Sequence, residues 1–200
     1  MKAPYTEMQL DALRELANIA SGTAATALSQ MLGREIGLSV PRALALSLAD
    51  AVDAAGDPAE TINCVALALD GDIEGVVMLL MPIEAGTALL QLLGLEPDSE
   101  YGESALCEIG NILGSSYLTA LASMTGLALE PHPPNLVVDM LGAVVATVLA
   151  QTAGHGDVAL VLDSELEVAG DTCSISFLLL PDSDGAFALL APLGLAEPTN

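Results

Sequence analysis

The chain repeats itself at a fixed spacing, and this constrains its fold more than any other feature. Asp11-x3-Glu15-x2-Asn18-x22-Pro41 recurs 93 residues later as Ser104-x3-Glu108-x2-Asn111-x22-Pro134. At the same offset Val65-Ala-Leu-Ala-Leu-Asp70 matches Val158-Ala-Leu-Val-Leu-Asp163. Further on the offset widens to 99–100, so that Met81-Pro82 faces Leu180-Pro181 and Ala88–Leu95 faces Ala188–Leu195. The extra residues fall after Asp163 and after Pro181, in connections where insertions are tolerated. Self-similarity of this kind marks one structural unit used twice. The reading is a single domain built of two repeats, about 6–95 and 101–195, joined by the acidic linker 96–100.

Periodicity gives each half the same order of elements. Thr6 and Gln9 form a capping box that opens a helix running to about Leu32, with Gly33 placed to end it. The matching helix covers roughly Tyr101–Met124, with Gly126 just beyond. Each is followed by an extended piece around the repeat proline, then by a shorter helix, Leu48–Ala55 or Met140–Ala150. Two apolar strands come next, Asn63–Leu69 and Gly75–Met81, with Asp70-Gly71 in the connection. Their counterparts are Val158–Leu162 and Thr172–Leu180. A last short helix begins at Pro82, a residue suited to the first helical position, and its partner lies near Ala186–Leu193. The expected class is α/β: a two-layer, pseudo-twofold-symmetric domain in which antiparallel hairpins form a sheet covered by two long helices and shorter ones.

Charge narrows the range of partners. The formal net charge is −23 over 200 residues, and it is unevenly placed. All four cations (Lys2, Arg14, Arg34, Arg42) lie in residues 1–42, whereas 23 of the 27 acids lie beyond. Phosphate backbones and anionic membrane surfaces are held by Lys and Arg, so neither nucleic acid nor membrane is an expected partner. No apolar run reaches the ~20 residues of a membrane span, and no basic, apolar leader opens the chain. Cys64, Cys107 and Cys173 form no CxxC pair, which suits a reducing cytoplasm. His132 and His155 have no ligand at metal spacing, and Asp70-Gly-Asp72 and Asp182-Ser-Asp184 are acids of the kind turns favour. No metal site and no nucleotide fingerprint is expected.

The polar positions of the repeat carry the chemistry. At about 100° per residue, Asp11, Glu15 and Asn18 share one stripe of the first helix, with Gly22 beside them. Leu13, Leu16, Ala20, Ala24 and Ala27 occupy the opposite side. The second helix sets Ser104, Glu108, Asn111 and Ser115 against Leu106, Ile109, Leu113 and Tyr117. On one helix alone such a stripe is an ordinary solvated face. Repetition of the same Glu and Asn, through the distant prolines, is more than architecture requires. An exposed Glu can bond a partner's Lys or Arg, and an amide, though no base, can position a water for in-line attack.

The doubled pattern [D/S]-x3-E-x2-N-x22-P resembles the signature of the CheC family of chemotaxis phosphatases, a group that includes CheX and FliY-type proteins. Ala24–Ser29, Pro82–Leu90, Leu106–Leu113 and Tyr117–Leu121 strengthen the likeness, which covers nearly the whole chain. The resemblance implies hydrolysis of the aspartyl phosphate on the response regulator CheY. Glu15 and Glu108 would pair with the receiver's active-site lysine, and Asn18 and Asn111 would orient the attacking water. Magnesium would be supplied by the CheY receiver, with no cofactor of the chain's own. Asp11 and Ser104 open each motif, and Pro41 and Pro134 fix the chain after each helix. CheD is the second partner implied, docking near the short helix of the second half, with Asp139 the residue to test at that interface. Most of Leu141–Ala150 is apolar and expected to pack inward. The rival readings are a non-catalytic adaptor that binds CheY and CheD, and a structural part of a motor. A monomer is expected, because the doubled motif supplies internally what a dimer would.

Acidity with almost no lysine also implies carboxylate self-repulsion that salt would screen. The melting temperature, followed by circular dichroism, is therefore expected to rise as KCl is raised into the molar range; a melting temperature indifferent to KCl would contradict this.

Overall fold

The computed structural model describes residues 6–97, 99–151, 158–168, 171–181 and 185–193. Both long helices form as the sequence dictates, α1 over Glu7–Leu32 and α4 over Glu100–Thr125. Thr6 and Gln9 complete the capping box, while Ser99 caps α4 through the Gly102 N–H. Each helix ends on a glycine in the left-handed region, Gly33 at φ 62° and Gly126 at φ 75°, where a side chain would be strained.

Between and after them run β1 (Ile36–Ser47), α2 (Leu48–Ala55), β2 (Thr61–Gly71), β3 (Gly75–Pro82) and α3 (Ile83–Leu92). The second half supplies β4 (Leu129–Pro131), β5 (Asn135–Met140), α5 (Leu141–Gln151), β6 (Val158–Val168), β7 (Asp171–Pro181) and α6 (Gly185–Leu190), with a 3₁₀ turn at Ala191–Leu193. Pro82 caps α3 instead of opening it, because its extended backbone (ψ 148°) still belongs to β3. β6 runs six residues past the expected Leu162: from Asp163 to Val168, exposed Glu165 and Glu167 alternate with buried Ser164 and Leu166, the two-residue period of a strand. The Asp182-Ser-Asp184 stretch, His155 and the end of the final repeat segment lie outside the described residues.

One antiparallel sheet takes strands from both halves in the order β1-β6-β7-β3-β2-β4, with β5 also on β2. The order is palindromic. Each half's hairpin, β2–β3 or β6–β7, receives the other half's leading strand, and the hairpins meet where β3 pairs β7. On one face α1 and α4 cover the larger core, which holds Leu16, Leu28, Val65, Leu67, Leu79, Ile109, Leu113, Tyr117 and Phe177. Tyr117 stacks on Phe177 at 4.6 Å between ring centroids. The expected helical cover extends to the other face too. There α2 and α5 bury Ala51, Leu141, Val144 and Val145 against Cys64, Met78, Val161 and Leu178, because β2, β3 and β7 are apolar on both alternating faces.

The two leading strands share one irregularity. Along β1, the step from Ser39 to Arg42 spans three residues where β6 spans two, Glu165 to Asp163. From Pro131 to Asn135 four steps oppose three on β2, Leu69 to Ala66. Each is a bulge with one extra residue, holding Pro41 in the first half and Pro133-Pro134 in the second. In β1 the extra residue reverses the alternation, so Leu38 and Val40 face α1 whereas Leu44 and Leu46 face α2.

α4 also lies very close to the sheet. A Cβ on Gly110 would stand 2.4 Å from Val65 Cγ1 and 2.5 Å from Val65 Cβ, both fully buried, where the first half carries Ala17. Gly110→Ala is therefore expected to cost about 1–3 kcal/mol by overpacking, measured by urea unfolding. Wild-type stability in that variant would show that the helix can lift off the strand freely.

Candidate functional site

The repeat residues sit on the outer faces of α1 and α4, as their spacing requires. Asp11, Glu15, Ser104 and Glu108 are exposed, and Asn18 and Asn111 are half-buried, Asn18 where α1 meets β1. Their inward neighbours Leu13, Leu16, Leu106, Ile109 and Leu113 are buried, which fixes the rotation of both helices. Gly22 has nothing within 4 Å of where a Cβ would stand, so that part of α1 is open to an approaching molecule.

The two copies of the motif are not in the same state. Asn18 Nδ2 donates to the Arg14 carbonyl at 3.1 Å and to the Val40 carbonyl at 3.2 Å. In return Val40 N–H donates to Asn18 Oδ1 at 3.0 Å. The bulge explains this clamp. Val40 is 1% exposed and has no ladder partner on β6, so its buried peptide groups need another partner. The Asn18 carboxamide presents a donor and an acceptor in the geometry a strand would.

Asn111 has no such clamp. Its Oδ1 accepts from Ser115 Oγ at 3.3 Å, and among the described residues its Nδ2 donates to nothing. The residue in the place of Val40 is Pro133, which has no N–H to give. The glutamates differ as well. Arg14 pairs with Asp11 and lies 3.8 Å from Glu15 Oε1. The corresponding positions in the second half are Cys107 and Ser104, and Glu108 has no ion pair among the described residues. These pairs are exposed and solvent-screened, so they orient the carboxylates more than they stabilise the fold. Arg14 and the Val40 peptide were not singled out by sequence reasoning. Arg14 was detectable from its i,i+3 spacing to Asp11. The Val40 clamp needed the bulge.

Pro41 and Pro134 both lie in the bulged segments of the leading strands. Asp139 is exposed on β5, opposite Ile62 and just before α5; its Oδ1 accepts from the Met140 N–H at 2.7 Å. In α5, Leu141, Val144 and Val145 turn inward as expected, while Ala146, Thr147 and Ala150 face out.

Other chemistries find less support. Burial pushes the Cys64 thiol up to about 12 and also raises Cys107, where the Leu136 backbone acts the other way and Glu103 adds to the rise. Both therefore remain thiols near neutrality and are poor nucleophiles. Burial likewise raises the Tyr117 phenol, against hydrogen bonds with Ser164 and Ser21. His132 Nε2 meets Asp70 Oδ2 at 2.6 Å, and Asp72 accepts from the Ala128 N–H at 2.8 Å, so the turn acids tie β2 to the chain after α4. Among the described residues there is no group of three His, Cys, Asp or Glu arranged to hold a metal, and no helix long and apolar enough to cross a membrane.

A model of the CheC-like family matches residues 8–44 and 102–138, the two segments that carry the motif and its proline. The chain is 37% identical to the Bacillus subtilis protein named CheY-P phosphatase CheC, over 94% of this chain and 95% of that one. It belongs to the CheC-like family. Solved structures show how widely the CheC-like fold is shared. Thermotoga maritima FliY superposes with a TM-score of 0.77 at 21% identity, covering 96% of this chain and 98% of that one. The FliM middle domain from H. pylori gives 0.66 at 8% identity, over 94% and 99%. The chemotaxis protein CheX from Desulfovibrio desulfuricans gives 0.52 at 14%, over 82% and 99%.

The clamp has a measurable cost of removal. Asn18→Ala strands the buried Val40 N–H and C=O, so it is expected to lose about 1–3 kcal/mol in chemical denaturation. Asn111→Ala strands no buried peptide group and should lose much less. Equal losses in the two variants would mean that the clamp contributes nothing to the fold.

Proposed function

We propose that the protein ends a chemotaxis signal by hydrolysing the aspartyl phosphate of the response regulator CheY. The observation that carries this reading is the 37% identity, over nearly the full length, to a relative named for that activity. The Glu and Asn of each motif suit the chemistry. A receiver docks along the outer face of α1 or α4, its active-site lysine bonding Glu15 or Glu108. The asparagine reaches the phosphoryl group and holds a water in line with the phosphorus–aspartate bond. Water oxygen bonds to phosphorus as the bond to the aspartyl oxygen breaks; the aspartate leaves as carboxylate, and the water protons pass to phosphate and solvent. Glu15, Asn18, Glu108 and Asn111 are the catalytic residues in this scheme. Magnesium belongs to the receiver, and the chain brings no cofactor of its own.

The same reading makes the protein a cytoplasmic monomer. Its second partner is CheD, engaged near Asp139 and α5 and raising the rate. The half-exposed apolar residues there, Val138 and Met140, suit a protein contact.

The test is phosphate loss from phosphorylated CheY with this protein at substoichiometric amounts, in high KCl, with and without CheD. Multiple turnover is expected, faster with CheD, and abolished in the folded Asn18→Ala/Asn111→Ala double variant. Binding of CheY without acceleration would make the protein an adaptor, and full activity in the double variant would remove the asparagines from the mechanism.

A further inference from the structure

We propose that the two motifs divide their labour: most turnover is carried by the Glu108/Asn111 face, while the Val40 peptide restrains Asn18 and slows the first site. The inference rests on the phosphatase reading and assigns Val40 and Pro133 as the positioning residues that set the difference.

Hydrogen-bond capacity decides the matter. A carboxamide has two N–H donors and an oxygen with two acceptor sites. Asn18 commits both donors, to the Arg14 and Val40 carbonyls, and one acceptor site to the Val40 N–H. To turn its amide toward a docked phosphoryl group it must leave the clamp and strand buried peptide groups, a penalty added to its barrier. Asn111 commits one acceptor site, to Ser115 at 3.3 Å, and keeps both donors. It meets the incoming phosphoryl group with its amide already available.

The cause is a single residue. Both leading strands bulge at the same place in the repeat, with Val40 and Pro133 in equivalent positions before the repeat proline. Val40 there provides the N–H and C=O that close the clamp, and Pro133 lacks the N–H. The docking carboxylates follow the same division. Glu15 shares Arg14 with Asp11, so a receiver lysine must compete for it, whereas Glu108 has no ion pair among the described residues.

Steady-state turnover of phosphorylated CheY by the full chain tests this with three variants. The loss of kcat from Asn111→Ala should exceed the loss from Asn18→Ala by about tenfold or more. Pro133→Val gives the second bulge the missing N–H; it should lower kcat several-fold with little change in KM, because Glu108 is untouched, and should raise the melting temperature. A merely structural Pro133 would shift stability without splitting kcat from KM. Equal kcat losses from the two asparagine variants, or a Pro133→Val protein with wild-type kcat, would overturn the division of labour while leaving the phosphatase reading intact. Wild-type protein that fails to turn over would instead overturn the phosphatase reading.

Discussion

The exchange of leading strands between the halves holds the rest of the structure in place. β1 hydrogen-bonds to β6, and β4 and β5 bond to β2, so each hairpin completes its ladder only with a strand from the other repeat. α1 and α4, attached to those strands, are carried over one face of the shared sheet and bury one continuous core. Polar stripes on both helices are thereby left on the outside of the same layer. The placing of the motif follows from strand pairing: each helix leans on its own bulged strand, and in the first half Asn18 is bonded at that seam.

Much of this was legible in the sequence because the signals were local. Thr6, Gln9, Gly33 and Gly126 set the helix ends through capping chemistry that does not depend on tertiary context. The stripe of Asp11, Glu15 and Asn18 followed from helical period alone. The missing parts were those that depend on distant chain. Periodicity does not say which hairpin receives which strand, and the acids at Asp163, Glu165 and Glu167 masked the continuation of β6. The clamp on Asn18 was hidden for the same reason. Val40-Pro41 and Pro133-Pro134 are visible in the chain, but their meaning depends on a bulge that forms only when β1 meets β6 and β5 meets β2.

A chain that contains two copies of a motif can let one copy serve the fold. In the first half the bulge creates a demand for a donor and an acceptor beside buried Val40, and the nearest carboxamide supplies both. In the second half Pro133 stands in the place of Val40 with no N–H to give, and among the described residues Asn111 Nδ2 donates to nothing. The paired sequence signature thus hides two physical environments. The difference lies in what surrounds the motif, whose Glu and Asn are the same in both halves.

The bulged prolines have a colloidal consequence as well. β1 and the β4–β5 pair are the two outer strands of the sheet, and among the described residues each is bonded on one side only. An open, flat edge is a template on which further strands can add until a fibre grows. Here both rims are bent by an extra residue, interrupted where proline offers no donor, and, along β4 and β5, lined by exposed Glu130 and Asp139. Neighbouring molecules, each carrying a net −23, also repel one another before their rims can meet. The proline that closes each signature motif thus also blunts an edge, which opposes strand-by-strand aggregation of an apolar, aromatic-poor chain.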